Sequence, residues 1–389
     1  MKKVLMCIIC LFMMIPFVRA EEVKEEKSNV LAKNAKSAIL LEESTGEILY
    51  EFNSHEKLEP ASMTKMMSLL LIMESIEKDV IKWDQMITVS SNASGMGGSQ
   101  ILLEMGEKMS VDDLVKGIAI ASGNDAVVAL AEAIAGTEEN FVKMMNDKLI
   151  ELGLKDSNFK NCHGLDEEGH YSSAYDMAMI AKELVKHEKI LEYSSIYETY
   201  LREGTDKKIW LVNTNKLVRF KSGVDGLKTG YTEGAGFCLT ATMKQNDMRV
   251  IATVMGEPDS QTRNNEVSSM LDYAFAQVGI KKVLSKNSVV EKIALSKSKL
   301  DEIEIVPAKD VTVLYKKVEG EITPTYEIKL DEINVPLKRG DIVGKLYVMN
   351  NDDVINEIDL TVKEDVKKCN LVELYWKYLK NILGGNIKF

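Results

Sequence analysis

Residues 59–78 read EPASMTKMMSLLLIMESIEK, and most of this stretch is apolar. The apolar run is long enough for a buried helix, which we predict to begin at about Ala61, directly after Pro60. Two polar groups lie in its first turn, the hydroxyl of Ser62 and the amine of Lys65. Residues three apart share a face of a helix, so these two groups are expected to lie close together.

A serine beside a buried lysine is suited to nucleophilic catalysis. A serine hydroxyl is a weak nucleophile that needs an adjacent base, and a lysine can act as that base when burial lowers its pKa. The start of a helix also stabilises negative charge. The spacing alone is a weak signal, because other S-x-x-K pairs occur at Ser54/Lys57, Ser75/Lys78, Ser157/Lys160 and Ser296/Lys299. The apolar surroundings distinguish Ser62 from these pairs, which lie in polar segments or at a helix end.

The tripeptide Ser122-Gly123-Asn124 joins two apolar segments that are predicted to be helices. Polar groups at such a buried junction need a partner or a purpose. Ser122 could pass a proton between Lys65 and a leaving group, and Asn124 could hold a substrate amide. The alternative is that Asn124 caps the second helix.

The tripeptide Lys228-Thr229-Gly230 is predicted to lie on a strand after a glycine-containing bend. Lys228 offers a positive charge and Thr229 a hydroxyl, while Gly230 allows a substrate backbone to approach the strand closely. The N–H of Tyr231 could form an oxyanion hole together with that of Ser62.

The order of elements predicts an α+β fold. A β-hairpin at residues 37–53 is followed by several helices and then by strands within residues 224–257, which together indicate one domain at 36–280. Short alternating strands then predict a small all-β domain at 285–365, which shows no obvious chemistry.

The N-terminus is typical of an exported protein. The basic start MKK precedes an apolar run at residues 4–17 that is too short to span a membrane, and small residues follow at Val18 and Ala20. This pattern predicts a signal peptide, residues 1–20, that is removed after Ala20. A charged, flexible lead-in is expected at residues 21–35.

The last residues, 370–389, predict an amphipathic helix whose apolar and charged side chains lie on opposite faces. Trp376 lies near the edge of the apolar face, where its ring suits a membrane interface. We expect the helix to anchor the protein to a membrane surface. Packing on a domain core is the alternative.

Composition excludes several other classes of protein. The net charge of −11 argues against nucleic-acid binding. The histidines show no ligand spacing, and Cys162, Cys238 and Cys369 are too widely separated for a disulfide framework or a metal site. We therefore expect buried or free thiols, no metal and no cofactor.

The S-x-x-K, S-x-N and K-T-G motifs, in this order, are the shared signature of penicillin-binding proteins and class A β-lactamases. The segments PASMTK, ASGNDAVVALAE, HGLDEEGHYSSAYDMA, VDGLKTGYTEGAGFCL and MRVIATVMG further resemble the low-molecular-mass penicillin-binding proteins that are serine-type D-alanyl-D-alanine carboxypeptidases, peptidase family S11. The resemblance covers nearly the whole chain. It implies a β-lactamase/transpeptidase-like domain, an antiparallel sheet with helices, followed by a small β-sandwich and the amphipathic helix.

The resemblance also implies an activity and residue roles. Ser62 attacks the carbonyl between the two terminal D-alanines of a peptidoglycan pentapeptide and forms an acyl-enzyme that water hydrolyses. Lys65 takes the Ser62 proton, and Ser122 passes a proton to the departing D-alanine. β-Lactams, which mimic the terminal dipeptide, acylate Ser62. Such a protein needs no cofactor and works at the outer face of the cytoplasmic membrane, to which it is peripherally anchored.

For substrate binding, the resemblance implies that Asn124 orients the peptide. Lys228 and Thr229 bind its terminal carboxylate with help from Arg263, in the stretch MGEPDSQTR. One departure is Tyr231, which stands where some relatives have His directly after K-T-G. Because only its backbone N–H is needed, the change is expected to alter pH behaviour or deacylation more than the reaction type.

The sequence leaves three other functions open. A class A β-lactamase shares the first and third motifs, but it has Asp at the position of Gly123 and lacks the β domain. Glu167 and Glu168 lie near the place where such an enzyme keeps a deacylating Glu. Cleavage of a cross-bridge would indicate an endopeptidase, and an envelope scaffold without activity is the third.

His163 is predicted to organise its loop.

Overall fold

The computed structural model describes residues 31–295 and 297–383 of the chain. The predicted signal peptide, the lead-in up to residue 30 and the last six residues, 384–389, lie outside the described residues.

The end of the predicted lead-in differs from expectation. Ala32 is fully buried, and the backbone N–H of Asn34 donates to the carboxylate of Glu266 at 3.2 Å. Residues 32–35 are therefore packed against the first domain, because the small side chains of Ala32 and Ala35 fit into its surface.

The described elements follow the predicted order of strands, helices and strands. The helices are α1 (Lys65–Glu77), α2 (Ser91–Ser94), α3 (Val111–Ala121), α4 (Asn124–Ala135), α5 (Glu138–Glu151), α6 (Ala174–Leu184), α7 (Lys189–Ser194), α8 (Leu217–Phe220), α9 (Ser260–Gln277) and α10 (Leu371–Leu383). The strands of the first domain are β1 (Ser37–Glu42), β2 (Ile48–Phe52), β3 (Met86–Thr88), β4 (Lys108–Ser110), β5 (Glu198–Leu201), β6 (Ile209–Val212), β7 (Val224–Thr232), β8 (Gly236–Gln245) and β9 (Met248–Glu257). The remaining strands are β10 (Val278–Leu284), β11 (Glu291–Ile293), β12 (Ile303–Pro307), β13 (Val311–Lys316), β14 (Thr325–Leu330), β15 (Ile342–Asn350) and β16 (Asp353–Val362).

The first domain is built on an antiparallel sheet with strand order β2-β1-β9-β8-β7. The predicted β1–β2 hairpin is confirmed. Ile39 and Leu41 join a large apolar core with α1 and α6, while α9 packs against β8 and β9. Leu40, which points to the opposite face from its neighbours, is also fully buried. The sheet is thus covered on both faces, and β7 forms one of its edges.

Ser62 lies on a 3₁₀ turn, Ala61–Thr64, and not in the first turn of the predicted α-helix, since α1 begins at Lys65. The turn packs against β7. A Cβ atom on Gly230 would lie 2.7 Å from the carbonyl oxygen of Pro60. Glycine at this position therefore lets the turn that carries Ser62 approach the edge strand closely.

The second domain contains a five-stranded antiparallel sheet, order β11-β12-β16-β15-β14, and the pair β10-β13. Ile305, Leu346 and Leu360 are fully buried at its core. The short strands predicted between residues 285 and 365 are confirmed. Strand β10 was not predicted. It follows α9 without a turn and begins at Val278, before residue 285, where the predicted β domain starts.

Candidate active site

Ser62 and Lys65 form a close pair at the start of α1. The Lys65 ammonium nitrogen, Nζ, lies 3.0 Å from Ser62 Oγ, and it also donates to the carbonyl oxygen of His163 at 2.6 Å. Lys65 is fully buried, whereas Ser62 is partly exposed. The lysine is therefore held behind the serine, and the serine faces solvent.

Burial changes the protonation of Lys65. Loss of hydration lowers the pKa of Lys65 to about 7, and the negative charge of Asp125 offsets this only in part. Near neutral pH, Lys65 is therefore a neutral amine in a substantial fraction of the protein molecules. A neutral amine 3.0 Å from a hydroxyl can accept its proton.

Ser122 lies between α3 and α4, in the left-handed region of backbone conformation, with φ of 65°. A residue other than glycine rarely adopts this conformation, which is often found at functional sites. Ser122 Oγ is buried, and no group of the described residues forms a hydrogen bond with it. Ser122 also lines the cleft that contains Ser62, so its hydroxyl is available for chemistry there.

Asn124 does not cap α4 with its side chain, so the capping alternative is wrong. Gly123 occupies the N-cap position, and the Asn124 side-chain nitrogen donates to the carbonyl oxygen of Gly97 at 2.7 Å. The reason is that the loop between α2 and β4 crosses the start of α4, where the Asn124 backbone N–H also donates to Ser99 O at 2.7 Å. Asn124 Oδ1 has no hydrogen-bond partner among the described residues.

The K-T-G motif lies on the edge strand β7, beside the cleft. Lys228 is 1% exposed and donates to the carbonyl oxygen of Thr229 at 3.0 Å. Burial, together with the charges of Lys65 and Arg263, lowers the pKa of Lys228 well below its usual value. Thr229 donates its hydroxyl to Thr214 at 2.7 Å.

Arg263 reaches the cleft from the first turn of α9. Its guanidinium donates to Asn264 Oδ1 at 2.9 and 3.1 Å and to the carbonyl oxygen of Cys238 at 3.5 Å. These acceptors are neutral, so the positive charge of Arg263 is available to an anion in the cleft.

The cleft has a volume of about 390 Å³. Its lining residues are Ser62, Ser99, Ser122, Thr214, Lys216, Thr229, Gly230, Tyr231, Phe237, Ser260, Arg263 and Asn264. Among these described lining residues none is acidic, whereas two are cationic. The cleft therefore favours an anionic ligand. A ligand bound there lies beside Ser62, whose hydroxyl is in contact with the amine of Lys65.

The predicted residues fall into two layers. Ser62, Ser122, Thr229 and Arg263 line the cleft with Gly230 and Tyr231, while Lys65, Asn124 and Lys228 lie behind that lining. The fold brings all nine together from segments far apart in the chain.

Sequence reasoning missed several residues of the site. Ser99 and Thr214 lie on loops without a motif, so no sequence signal marks them. The carbonyl of His163 contacts Lys65, and any residue type could supply it. Burial lowers the pKa of His163 to about 3, and its neutral ring accepts a bond from the N–H of Leu165 at 3.1 Å. This agrees with the predicted role of His163 in organising its loop.

Glu167 and Glu168, which left a β-lactamase possible, lie on the surface and do not line the cleft. Glu167 accepts a hydrogen bond from Asn161 at 3.0 Å. Neither carboxylate is placed to activate a water for deacylation. Within residues 31–295 and 297–383, no group of three or more His, Cys, Asp or Glu side chains is arranged to hold a metal ion.

Two family models match the chain. Residues 22–259 match the D-alanyl-D-alanine carboxypeptidase model, and residues 280–368 match the C-terminal domain of penicillin-binding protein 5. The first match ends just after β9 and the second begins within β10, so that α9 lies between them.

Similar proteins cover nearly the whole chain. D-alanyl-D-alanine carboxypeptidase DacF of Bacillus subtilis is 47% identical over 392 residues, covering 100% of both chains. DacC of Escherichia coli is 33% identical, covering 95% of this chain and 92% of its own. The crystal structure of penicillin-binding protein 5 from Haemophilus influenzae is 31% identical with a TM-score of 0.70, and the alignment covers 86% of this chain and 98% of that one.

Proposed function

Because the chain belongs to the D-alanyl-D-alanine carboxypeptidase family, we propose that Ser62, Lys65 and Ser122 are the catalytic residues with which it removes the terminal D-alanine of peptidoglycan stem peptides. The observation that carries this proposal is the 3.0 Å contact between Lys65 Nζ and Ser62 Oγ, at a cleft that Ser122 also lines. Release of D-alanine from a peptide ending in D-Ala-D-Ala, compared between the wild type and Ser62→Ala, tests the proposal.

In the acylation step, neutral Lys65 takes the proton of Ser62, and Ser62 Oγ attacks the carbonyl carbon between the two D-alanines. The carbonyl oxygen becomes negatively charged and accepts hydrogen bonds from the backbone N–H groups of Ser62 and Tyr231. Ser122 then passes the proton from Lys65 to the nitrogen of the leaving D-alanine as the C–N bond breaks, which returns Lys65 to the neutral amine. Its unpartnered Oγ supports this role, since no described group competes for it.

In the deacylation step, water attacks the acyl-enzyme and releases the shortened peptide. A peptide without its terminal D-alanine cannot donate to a cross-link, so the reaction limits cross-linking of the wall. A β-lactam, whose strained amide occupies the place of the D-Ala-D-Ala bond, acylates Ser62 by the same attack.

Arg263, a cation that lines the cleft, determines which end of the substrate binds there. Arg263 and the hydroxyl of Thr229, with Lys228 behind the lining, form the site for the terminal carboxylate. Asn124 Oδ1, which is buried without a partner among the described residues, accepts an N–H of the peptide. Gly230 and Tyr231 present backbone groups of the edge strand β7 to the peptide backbone.

Acylation is expected to depend on pH through Lys65. Burial lowers the pKa of Lys65 to about 7, so the neutral base predominates above that pH and is lost below it. The second-order rate constant for acylation by penicillin should fall about tenfold for each pH unit below about 7. Stopped-flow measurement of acylation between acid and neutral pH gives this profile.

The control is the S-x-x-K pair Ser75/Lys78, in which the lysine has the same spacing from the serine but is exposed. Lys78→Gln should keep the wild-type pH dependence of acylation. Lys65→Arg should lose most of the acylation rate, and the remaining rate should no longer fall with pH below about 7. A pH dependence that persists in Lys65→Arg would show that another group is the base.

The C-terminal helix α10 supports a second proposal, a peripheral membrane anchor. Lys377 donates to the carbonyl oxygens of Ser298 and Leu300 at 2.9 and 2.8 Å, and Glu373 forms an ion pair with Lys299. The charged face of α10 is therefore turned toward the β domain. The exposed apolar residues of the helix are Leu371, Val372, Tyr375, Trp376, Tyr378, Ile382 and Leu383.

An apolar face that points to solvent, with an aromatic ring at its edge, suits the boundary between lipid headgroups and acyl chains. None of the described helices is both long and apolar enough to span a bilayer. Members of the family act on peptidoglycan, which lies outside the cytoplasm. We therefore propose that residues 1–20 direct export and that α10 lies on the outer surface of the cytoplasmic membrane.

Vesicle flotation tests the anchor. Deletion of residues 370–389 should abolish binding to anionic phospholipid vesicles and leave D-alanine release unchanged. Trp376→Ser should weaken vesicle binding about tenfold, from the apolar area lost. Val318→Ser, which removes an 86% exposed apolar side chain from the β domain, is the matched control and should bind as the wild type does. Equal binding by the truncated protein would refute the anchor.

A further inference from the structure

The β5–β6 hairpin presents two aromatic side chains to solvent on one face. Tyr200 and Trp210 are direct partners across the two strands, so their side chains lie next to each other on the same face. They are 42% and 56% exposed. The opposite face is buried, because Leu201 and Leu211 belong to the core of the first domain. Two neighbouring aromatic side chains that a packed hairpin keeps in solvent indicate a binding surface.

One end of the hairpin is fastened to the rim of the cleft. Arg202, directly after β5, donates to the carbonyl oxygens of Ile101 and Leu102 at 3.0 and 3.1 Å. It also forms an ion pair with Glu107 at 2.6 Å. The loop that Arg202 holds in this way contains Ser99, which lines the cleft.

The other end of the hairpin leads directly into the cleft. Asn213, which follows β6, is buried, and its side chain donates to the carbonyl oxygens of Ser194 and Ile196 at 2.9 and 2.8 Å. The next residue, Thr214, lines the cleft and accepts a hydrogen bond from Thr229. The aromatic face is therefore a fixed continuation of the cleft wall.

The distance along the hairpin suits the length of the proposed substrate. Trp210 and Thr214 are four residues apart, so their Cα atoms lie at most ~14 Å from each other. An extended pentapeptide spans up to ~17 Å. A sugar attached to the far end of a stem peptide can thus reach the aromatic face while the terminal D-alanine of that stem occupies the cleft.

The chemistry of the face favours a neutral ligand. Residues 198–210 contain three acidic and three basic side chains, so the hairpin has no net charge and no attraction for an anionic lipid surface. The Lys208 ammonium lies 3.8 Å from the centre of the Tyr200 ring and covers one face of that ring. The indole N–H of Trp210 has no hydrogen-bond partner among the described residues. A sugar ring offers apolar C–H groups to an aromatic ring and polar groups to such donors.

We propose that the outer face of the β5–β6 hairpin, formed by Tyr200 and Trp210, binds the glycan to which the stem peptide is attached. The proposal rests on the proposed function, in which the terminal D-alanine of that stem occupies the cleft. A stem attached to glycan is then held at two points, the cleft and the aromatic face, whereas a free peptide is held at the cleft alone.

The expected signature is a lower KM for a pentapeptide that carries sugars. Stacking on the aromatic face is the same in the ground state and the transition state, so it changes KM and leaves kcat little changed. The two substrates are the free pentapeptide and the same pentapeptide attached to a disaccharide of N-acetylated amino sugars. For the full-length wild type, the KM of the glycopeptide should be roughly tenfold lower than that of the free pentapeptide.

Variants of the face test which residues cause this preference. Trp210→Ser should raise the KM of the glycopeptide close to that of the free pentapeptide, whereas Trp210→Phe, which keeps a ring, should retain most of the preference. Tyr200→Ser should have a smaller effect, because Lys208 already covers one face of the ring. Tyr326→Ser, which removes a 41% exposed aromatic side chain from β14 of the second domain, is the matched control and should keep the wild-type ratio of KM values.

Two kinetic outcomes would overturn the inference. Equal KM values for the two substrates in the wild type would show that the face binds no sugar, as expected if it served a protein partner instead. A preference that persists in both Trp210→Ser and Tyr200→Ser would place the sugar elsewhere. Should Trp210→Ser not fold, Tyr200→Ser still tests the same face.

A binding measurement separates this inference from the proposed function. A peptide-free oligosaccharide of the same sugars, titrated into the protein and followed by NMR, should bind the wild type and Tyr326→Ser but not Trp210→Ser. If the oligosaccharide binds in this pattern while neither peptide releases D-alanine, the proposed function fails and the glycan site stands. If D-alanine is released but the oligosaccharide binds wild type and Trp210→Ser equally, the glycan site fails and the proposed function stands.

Discussion

Ser62→Ala should abolish D-alanine release, with a fall in kcat of roughly 10⁴-fold or more. The substitution removes the hydroxyl that we propose as the nucleophile, and Lys65 loses its hydroxyl partner at 3.0 Å. Binding groups of the cleft stay in place, so the KM for any residual reaction should change little. Radiolabelled penicillin should bind covalently to the wild type and not to the variant.

Ser75→Ala is the matched control for this loss of activity. Ser75 begins an S-x-x-K pair with Lys78, and it is also buried, but its hydroxyl donates to the carbonyl oxygen of Leu71 at 2.7 Å within α1. This variant should keep both D-alanine release and penicillin labelling. Labelling of Ser62→Ala at the wild-type rate would refute Ser62 as the nucleophile.

Gly164→Ala should strongly destabilise the first domain and disrupt the active site. Gly164 has φ of +87°, and a Cβ atom there would lie 1.9 Å from the carbonyl oxygen of Ala61, directly before Ser62. Strain from the left-handed backbone and from overpacking together should lower the free energy of unfolding by roughly 3 to 5 kcal/mol. Urea titration measures this loss, and penicillin acylation of the remaining folded protein should be slowed.

Gly153→Ala separates backbone strain from the clash. Gly153 has φ of +70°, but no heavy atom lies within 4 Å of the position of its Cβ. This variant should lose only about 1 to 2 kcal/mol and should acylate normally. If the two alanine variants are equally destabilised, the close contact of residue 164 with Ala61 is not the reason that position 164 requires glycine.

The predicted elements that were confirmed are those with a strong local pattern. The β1–β2 hairpin, the strands of the β domain and the apolar helix α1 each have a periodicity that neighbouring residues reveal. The short strands β5 and β6, with four residues each, were not predicted. Such short strands are stabilised by pairing and packing with distant residues, which leave no local signal.

Local patterns also did not reveal two close contacts at the site. Asn124 has the residue type of a helix cap, but the loop that contains Gly97 and Ser99 engages it instead. Gly230 was expected to let a substrate backbone approach, which stays a prediction; the structure adds that an alanine Cβ there would also meet the carbonyl oxygen of Pro60. In both cases the competing partner lies far away in sequence, so only the fold could reveal it.

The sequence by itself determined the reaction class. The residue types and order of the S-x-x-K, S-x-N and K-T-G motifs indicate a nucleophile, its base and a carboxylate site. Only the tertiary structure decided that these residues meet and that Lys65 is buried enough to be a base. The physical reason is that hydroxyl, amine and carboxyl groups belong to the residue itself. Their pKa values and partners depend on desolvation and on charges brought together from distant parts of the chain.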